Sequence, residues 1–419
     1  MNTWVIEIGE PIRRFEPESR LWRTRGVALD LVRRGHAVTW WASTFNHIHK
    51  RHDLHADETF EDEGVTYRLL HGPAYSRNIS LARLRNHAVV ARRFREAANS
   101  CARPDLIFCS LPTIELAAAA VAFGQQHEVP TVVDIRDLWP DLFKTALPTI
   151  LRPLSHLALL PYQAMTTRAL AGATALTAVS AGYLDWGLRK VGRAAHELDA
   201  VFPLGSERRN DVSDPDVLAT LRSRGVDPSK KIAWFVGTFG HSYDLTTVIE
   251  GARLFHNRNA RDVQFVLSGV GDDDEALRMR AEGLENVVFT GWLDRRGLNE
   301  MGRLAWVGLQ PYRADAAQGL ANKLFEYLSF GLPLVSSLRG ENASLIRQHG
   351  VGVNYDAGDP QSLCTQLRAL LGNVERVHAK RQEARKLFDE RFSIEAISRA
   401  FAGHLETIAR TPAERPSGS

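Results

Sequence analysis

QGLANKLFEYLSFGLPLVSS, residues 318–337, decides how the second half of this chain folds. Residues Ala321–Leu328 hold no helix breaker and are rich in strong helix formers, and Gly331 and Pro333 stop the run. The apolar stretch Leu332–Val335 then reads as a short buried strand with Pro333 confined to its start. Asn322 and Lys323 fall in the first helical turn, where unpaired N–H groups and the positive dipole end favour a phosphate. Glu326 follows Lys323 by three residues, so both project from one face. A carboxylate one turn from a bound diphosphate is placed to accept hydrogen bonds from ribose hydroxyls. The same residues also suit an ordinary amphipathic helix with a surface Lys–Glu pair, so this segment alone leaves both readings open.

Upstream of it, strands are expected at Ile232–Val236, Val263–Ser268, Val287–Thr290 and Val307–Leu309, with helical stretches between them. Such alternation predicts a parallel, doubly wound sheet. Gly237-Thr238-Phe239-Gly240 follows the first of these strands. Two glycines there let backbone approach a diphosphate and aim N–H groups at it. Gly269-Val270-Gly271 and Gly291-Trp292 also end strands, and serve equally as plain turns.

The first half alternates in the same way, with strands at Trp4–Ile8, Ala37–Ala42, Val65–Leu70, Leu106–Ser110, Val129–Asp134 and Ala175–Val179. Helices are expected from about residue 20 to Arg34, over Ala82–Ala98 and over Ile114–Gln125. Val201–Gly205 and the polar Ser206–Asp214 read as the connection between two domains, about 1–203 and 204–393. A last helix over about 394–410 precedes a polar, Pro-containing tail, 411–419, expected to be disordered. Parallel sheets bind ligands at the carboxyl ends of their strands. Asp134-Ile135-Arg136-Asp137-Leu138-Trp139-Pro140 closes one such strand, so Arg136 and Asp137 are expected to face a ligand or to pair with each other. Gly9-Glu10-Pro11 closes another.

His47, His49 and His52 invite a metal reading but lack flanking carboxylate or Cys partners, and no metal site is expected. Residues 77–95 carry Arg77, Arg83, Arg85, Arg92, Arg93 and Arg95 with no acidic residue among them. They read either as a solvated helix face or as a patch for anionic lipid headgroups. Leu147–Leu170 reads either as a second such surface or as a buried helix pair. The single aromatic in the basic segment speaks against single-stranded nucleic acid.

The chain has 419 residues, 44% hydrophobic and 24% charged, with a net charge of +3. That is the composition of a globular protein long enough for two cores, and the charge is too small to imply nucleic acid. Three unclustered cysteines, Cys101, Cys109 and Cys364, fit a reducing cytoplasm rather than a disulfide framework. No apolar run approaches the ~20 residues that span a bilayer, and the first residues lack the pattern of a secretory signal.

Asn322-Lys323-Leu324-Phe325-Glu326-Tyr327-Leu328 with Gly331-Leu332-Pro333 resembles the donor-site signature of family-4 retaining glycosyltransferases. The likeness is strongest to bacterial O-antigen and capsule polysaccharide enzymes, and the RDLWP string at Arg136–Pro140 is similar to that subgroup. The resemblance implies the GT-B fold: α/β, two Rossmann-like doubly wound domains facing a central cleft, with the last helix crossing back to the first domain. It implies that Glu326 holds the ribose of a nucleoside-diphosphate sugar. It also implies that Gly237, Thr238, Phe239, Gly240, Ala321, Asn322 and Lys323 receive the diphosphate, and that Arg136, Asp137 and Lys323 serve catalysis. Gly9 and Glu10 would lie on the acceptor side. Departures accompany these matches. Gln318 stands where many relatives have a sugar-contacting Glu, and His241-Ser242-Tyr243-Asp244 replaces an Arg and Lys that neutralise the diphosphate. No cofactor and no metal are implied, since helix dipoles and basic side chains do that work. The implied partners are a nucleotide-sugar donor, a glycan or polyprenyl-diphosphate-linked acceptor, and an anionic membrane surface touched peripherally. A nucleotide-sugar 2-epimerase shares the architecture, and a catalytically silent scaffold is a third reading.

Overall fold

The computed structural model describes residues 1–17, 19–77, 80–145, 152–209, 212–240, 242–258, 260–316 and 319–411, with 144–145 and 152–158 described by backbone alone. The chain divides into two compact units, Met1–Pro203 with Ile397–Ser419, and Leu204–Ala396. The expected tail over 412–419, Gln318 and His241 lie outside the described residues, as does the first part of the Leu147–Leu170 stretch.

In the first unit, β1 (Asn2–Ile6), β2 (Ala37–Ser43), β6 (Val65–Leu70), β7 (Leu106–Leu111), β8 (Thr131–Ile135), β9 (Ala175–Ala178) and β10 (Ala200–Val201) run parallel. The sheet order is β10-β9-β8-β7-β1-β2-β6-β5, where β5 (Glu58–Asp62) is an antiparallel edge strand. β5 escapes sequence reading because ETFED carries one apolar residue and looks like a loop. Its charges suit an exposed edge, where they oppose pairing with another chain. A small ribbon, β3 (Phe45–Asn46) with β4 (Arg51–His52), rises from the end of β2.

Alternation sorts the side chains of the central strands. Trp4 and Ile6 bury against the helices Leu81–Ala98 and Ile114–His127, with Trp41, Phe94 and Phe123 around them. Val5, Trp40 and Phe108 point to the opposite face, onto the helix Arg23–Arg33 and Phe401 of the last helix, Ile394–Arg410. Buried on both faces, these strands read as near-continuous apolar runs.

In the second unit, β11 (Lys231–Val236), β12 (Val263–Ser268), β13 (Val287–Gly291), β14 (Ala305–Gln310), β15 (Leu334–Ser336) and β16 (Gly352–Asn354) form one wholly parallel sheet in the order β13-β12-β11-β14-β15-β16. The chain therefore carries two Rossmann-like sheets. The helix opened by the deciding stretch runs over Asn322–Ser329, and its strand begins at Leu334, directly after Pro333. Among the described residues no helix is long and apolar enough to cross a membrane.

Candidate active site

In the second unit Tyr327 sets the geometry. β11 and β14 pair through Ile232–Trp234. Beyond that point the Tyr327 hydroxyl bridges them, accepting the Val236 N–H at 3.1 Å and donating to the Leu309 carbonyl at 3.1 Å. Lys323 lies one turn earlier on the same helical face, so it is carried to the carboxyl end of β11. Its ammonium donates to the Val236 carbonyl and stands 4.7 Å from the Phe235 ring centre and 4.5 Å from that of Tyr243. Lys323 is only 6% exposed, and among the described residues no carboxylate pairs with it. A buried cation without an anion is costly, and here it is stabilised by one carbonyl and two aromatic faces.

Around that ammonium the backbone is left open. Ala321 caps the helix with no side-chain hydrogen bond. Among the described residues, the N–H groups of Asn322 and Lys323 meet no acceptor. Gly237 turns with φ +151°, and a Cβ there would stand 2.1 Å from Lys323 Nζ. The turn itself departs from expectation. The Gly237 N–H donates to the Ser268 carbonyl at 2.9 Å and that of Phe239 to the Val270 carbonyl at 3.0 Å. Neither is free for a ligand, because this turn packs on the neighbouring one, where a Cβ on Gly269 would reach 1.8 Å from the Gly237 oxygen. Phe239 is fully buried, while Thr238 is exposed. Thr238 and Gly240 keep N–H groups without an acceptor among the described residues.

Gly237→Ala is expected to push Lys323 from its seat and to impose a backbone strain of order 1–3 kcal/mol. Nucleoside-diphosphate affinity should fall at least tenfold, read by titration calorimetry. An alanine variant with unchanged affinity would mean that the lysine is not held where a ligand needs it.

Glu326 is half-buried and lies 3.7 Å from Arg209 Nη2. Arg209 also stands 5.4 Å from the Phe330 ring centre. The sequence offered no sign of this arginine beyond its place in the connecting stretch. It braces the carboxylate proposed for the ribose. Asp244, of the segment that departs from the resembled pattern, accepts the Thr247 N–H at 3.0 Å and caps the next helix.

The first unit corrects the expectation for Arg136. Arg136 does not pair with Asp137, nor does it lie open to a ligand; it ends in a buried ion network. Its guanidinium donates to Asp134 at 2.8 Å, to Glu10 at 2.6 Å and to the Thr24 hydroxyl at 2.7 Å, with Glu7 3.5 Å away. Asp134, wholly buried, also accepts two bonds from Arg23, at 3.0 and 2.8 Å, and one from Thr177 at 2.8 Å. Burial alone would raise the Asp134 pKa, but Arg23 and Arg136 outweigh it and hold the carboxyl at about 2. Glu10 is likewise engaged, accepting the Thr24 N–H at 3.0 Å at the start of the helix Arg23–Arg33. Glu7 goes the other way, raised chiefly by burial. Gly9 and Glu10 line a recess with Ser43, Asn46, His47 and Asp53. Asp137 stays half-buried, takes the Leu138 N–H at 2.9 Å, and is raised by burial.

The three histidines separate. His47 meets the Tyr75 hydroxyl at 2.6 Å, His49 approaches Glu16 at 3.3 Å, and His52 stacks on His71 with ring centres 4.6 Å apart. Among the described residues no group of three or more His, Cys, Asp or Glu side chains is placed to hold a metal ion.

Comparisons with known proteins fit this architecture. Residues 22–205 match the "Glycosyl transferase 4-like domain" model, and residues 230–373 match "Glycosyl transferases group 1". A phosphatidyl-myo-inositol mannosyltransferase of Mycobacterium leprae is 33% identical over 152 residues, a match that takes in 35% of this chain and 39% of that protein. Sucrose-phosphate synthase from Thermosynechococcus elongatus superimposes with a TM-score of 0.68 at 14% identity, covering 97% of this chain and 98% of that one. An Anabaena protein, HepE, solved with UDP and glucose, gives 0.63 at 14% identity over 97% of this chain and 100% of its own. An Escherichia coli structure described as trehalose-6-phosphate, bound with UDP-2-fluoro glucose, gives 0.68 at 13% identity over 98% and 99%. The two family models together span well over half of the sequence, one on each unit, and the chain belongs to the glycosyltransferases of the GT-B fold.

Proposed function

We propose that the protein moves a sugar, with retention, from a nucleoside-diphosphate donor to a lipid-linked glycan in bacterial surface polysaccharide synthesis. The observation that carries this reading is Lys323, a buried ammonium with no carboxylate partner among the described residues. It sits beside an uncapped helix start and one turn from Glu326. A diphosphate supplies the missing anion, and Glu326 accepts the ribose hydroxyls. Breaking the bond from sugar to diphosphate passes through an oxocarbenium-like state. Donors already aimed at the departing phosphate then stabilise the charge it gains. These are Lys323 and the N–H groups of Asn322, Thr238 and Gly240. Gln318, in place of the usual Glu, offers an amide to the donor sugar, and Gly291-Trp292 lies towards the base. An epimerase is disfavoured by the family match.

No metal enters this scheme, because backbone N–H groups and Lys323 occupy its place. The test is incubation with a panel of nucleoside-diphosphate sugars, with and without polyprenyl-diphosphate-linked acceptors, in excess EDTA. Transfer that persists in EDTA is expected. Activity that vanishes on chelation and returns with magnesium would overturn the metal-free mechanism, and free epimer without transfer would overturn the function.

The basic helix supports a membrane reading on fewer residues than its composition suggests. Arg83 turns inward over Trp139 at 4.4 Å, Arg93 pairs with Asp57 at 2.7 Å, and Arg92 faces Glu96 at 3.7 Å. Arg77, Arg85 and Arg95 remain exposed, beside a Leu81 that is 84% exposed. Each of the three adds about 1 kcal/mol at an anionic surface. Binding to anionic vesicles is expected at low salt and release at high salt, as the Debye length shrinks. The triple change of Arg77, Arg85 and Arg95 to Glu should abolish it in a sedimentation assay. Equal sedimentation of that variant would return the helix to a solvated face.

A further inference from the structure

Three tyrosines gather at the carboxyl ends of β11 and β14, and their hydroxyls are not used alike. The Tyr327 hydroxyl is taken up by backbone, accepting the Val236 N–H and donating to the Leu309 carbonyl at 3.1 Å each. Among the described residues the hydroxyls of Tyr243 and Tyr312 meet only each other, at 3.5 Å. Bonds of the O–H···O type usually close to about 2.7–2.8 Å. Tyr312 is 3% exposed. Burial, and then Tyr243, pushes its phenol up, so it keeps its proton. A hydroxyl buried on so long a contact is costly, and phenylalanine would pack as well without it.

Both side chains are fixed from behind. Tyr243 and Tyr312 pair in an isolated antiparallel bridge. The Tyr243 N–H donates to the Gly240 carbonyl at 3.0 Å and that of Asp244 to the Pro311 carbonyl at 2.7 Å. Asp244 then caps the helix Leu245–Asn257. On the other strand end, the Tyr312 carbonyl accepts the Ser337 hydroxyl at 2.7 Å. The Tyr312 ring packs with Leu338 and with Ala321, the residue before the open N–H groups of Asn322 and Lys323. The half-buried Tyr243 ring lies 5.0 Å from that of Tyr312 and 4.5 Å from Lys323 Nζ. The two phenols therefore border the charge and the helix start that the donor reading gives to the diphosphate.

Sheet order gives them a place along the ligand. The proposed place of the base is Trp292 after β13, and Gly237 and Lys323 mark the end of β11; β14, which Tyr312 follows, lies beyond β11 in the same direction. The line from base to diphosphate runs on to the phenols, on the side of the phosphate that carries the sugar. We propose that the Tyr243 hydroxyl donates to that terminal phosphate, with Tyr312 as its positioning residue. Tyr312 donates to the Tyr243 oxygen, which leaves the Tyr243 proton for the phosphate, and a hydrogen bond to an ionised acceptor is the stronger kind. A neutral phenol adds a donor there without placing a second cation beside the desolvated Lys323. This role deepens the proposed donor site and rests on that reading.

The test is calorimetric titration of the full-length protein with UDP, GDP and ADP, and then with the monophosphate that matches the tightest of them. Tyr243→Phe should weaken the diphosphate by about tenfold or more, as for a lost hydrogen bond to a charged group, and leave the monophosphate unchanged. Tyr312→Phe should weaken the diphosphate by roughly twofold or more, and should add nothing once Tyr243 is phenylalanine. Both rings stay in place, so the melting temperature should hold on the same preparations. A diphosphate affinity that does not move in Tyr243→Phe would overturn the assignment. So would a loss shared equally by the monophosphate, with or without a lower melting temperature, and additive losses in the double variant would overturn the role of Tyr312. If Lys323→Met weakens the diphosphate while Tyr243→Phe does not, the donor reading stands and the phenol role alone falls. If the parent binds none of the three diphosphates, or Lys323→Met binds them as tightly, the donor reading falls and takes the phenol role with it.

Discussion

Lys323→Met is expected to leave the second unit folded and to lower transfer by about a hundredfold or more. Methionine is unbranched and one atom shorter, so it still fills most of the space beside Phe235 and Tyr243 while losing the ammonium's contacts with their rings, and packing changes little. What disappears is the charge facing the departing diphosphate. Removing one preorganised donor to a developing anion costs about 2.7–4 kcal/mol, a factor of 10²–10³ in rate. The melting temperature should hold or rise, because the buried cation no longer has to be desolvated. Steady-state kinetics and calorimetric unfolding on the same preparation check both halves. A variant with full activity would remove Lys323 from the site, and one that unfolds would make it a structural residue.

Asp134→Asn should do the opposite, harming stability before chemistry. The change keeps the shape but leaves Arg23 and Arg136 sharing a buried place without their common anion. Breaking a buried pair costs about 3–5 kcal/mol, and for a unit of this size each kcal/mol lowers Tm by roughly 2–4 °C. The pH dependence follows. With its folded pKa held at about 2, below the ordinary carboxyl value, ionised Asp134 stabilises the first unit above pH ~4. That stability is lost as pH falls from there through about 2. Asparagine already lacks the charge, so the variant should show a flatter stability profile across that window. A Tm within a degree or two of the parent would show that the network is dispensable.

The sequence was most legible where periodicity is local. Val65–Leu70 and Val263–Ser268 are strands as read, the strand expected over Leu332–Val335 runs over Leu334–Ser336, and Asn322–Ser329 is a helix shifted by one residue. Val263–Ser268 and Leu334–Ser336 are buried on both faces, Val65–Leu70 alternates, and all are flanked by turn residues, so the local pattern suffices. Arg136 shows where that reasoning stops. RDLWP marks a loop at a strand end, but the partners that absorb the guanidinium come from Glu10 and from Thr24 at the head of another helix. Only folding brings them together. The Gly237 and Phe239 N–H groups were misread for a related reason, since the carbonyls that take them belong to Ser268 at the end of β12 and Val270 in the turn after it.

A crystal structure with a bound nucleoside diphosphate decides whether Lys323 and the uncapped helix start hold the donor. The terminal phosphate should lie within hydrogen-bond reach, ~3 Å, of Lys323 Nζ and of the N–H groups of Asn322 and Thr238. The ribose hydroxyls should lie on the Glu326 carboxylate. A nucleotide seated elsewhere on the chain, with Lys323 still bound only to the Val236 carbonyl, would contradict it.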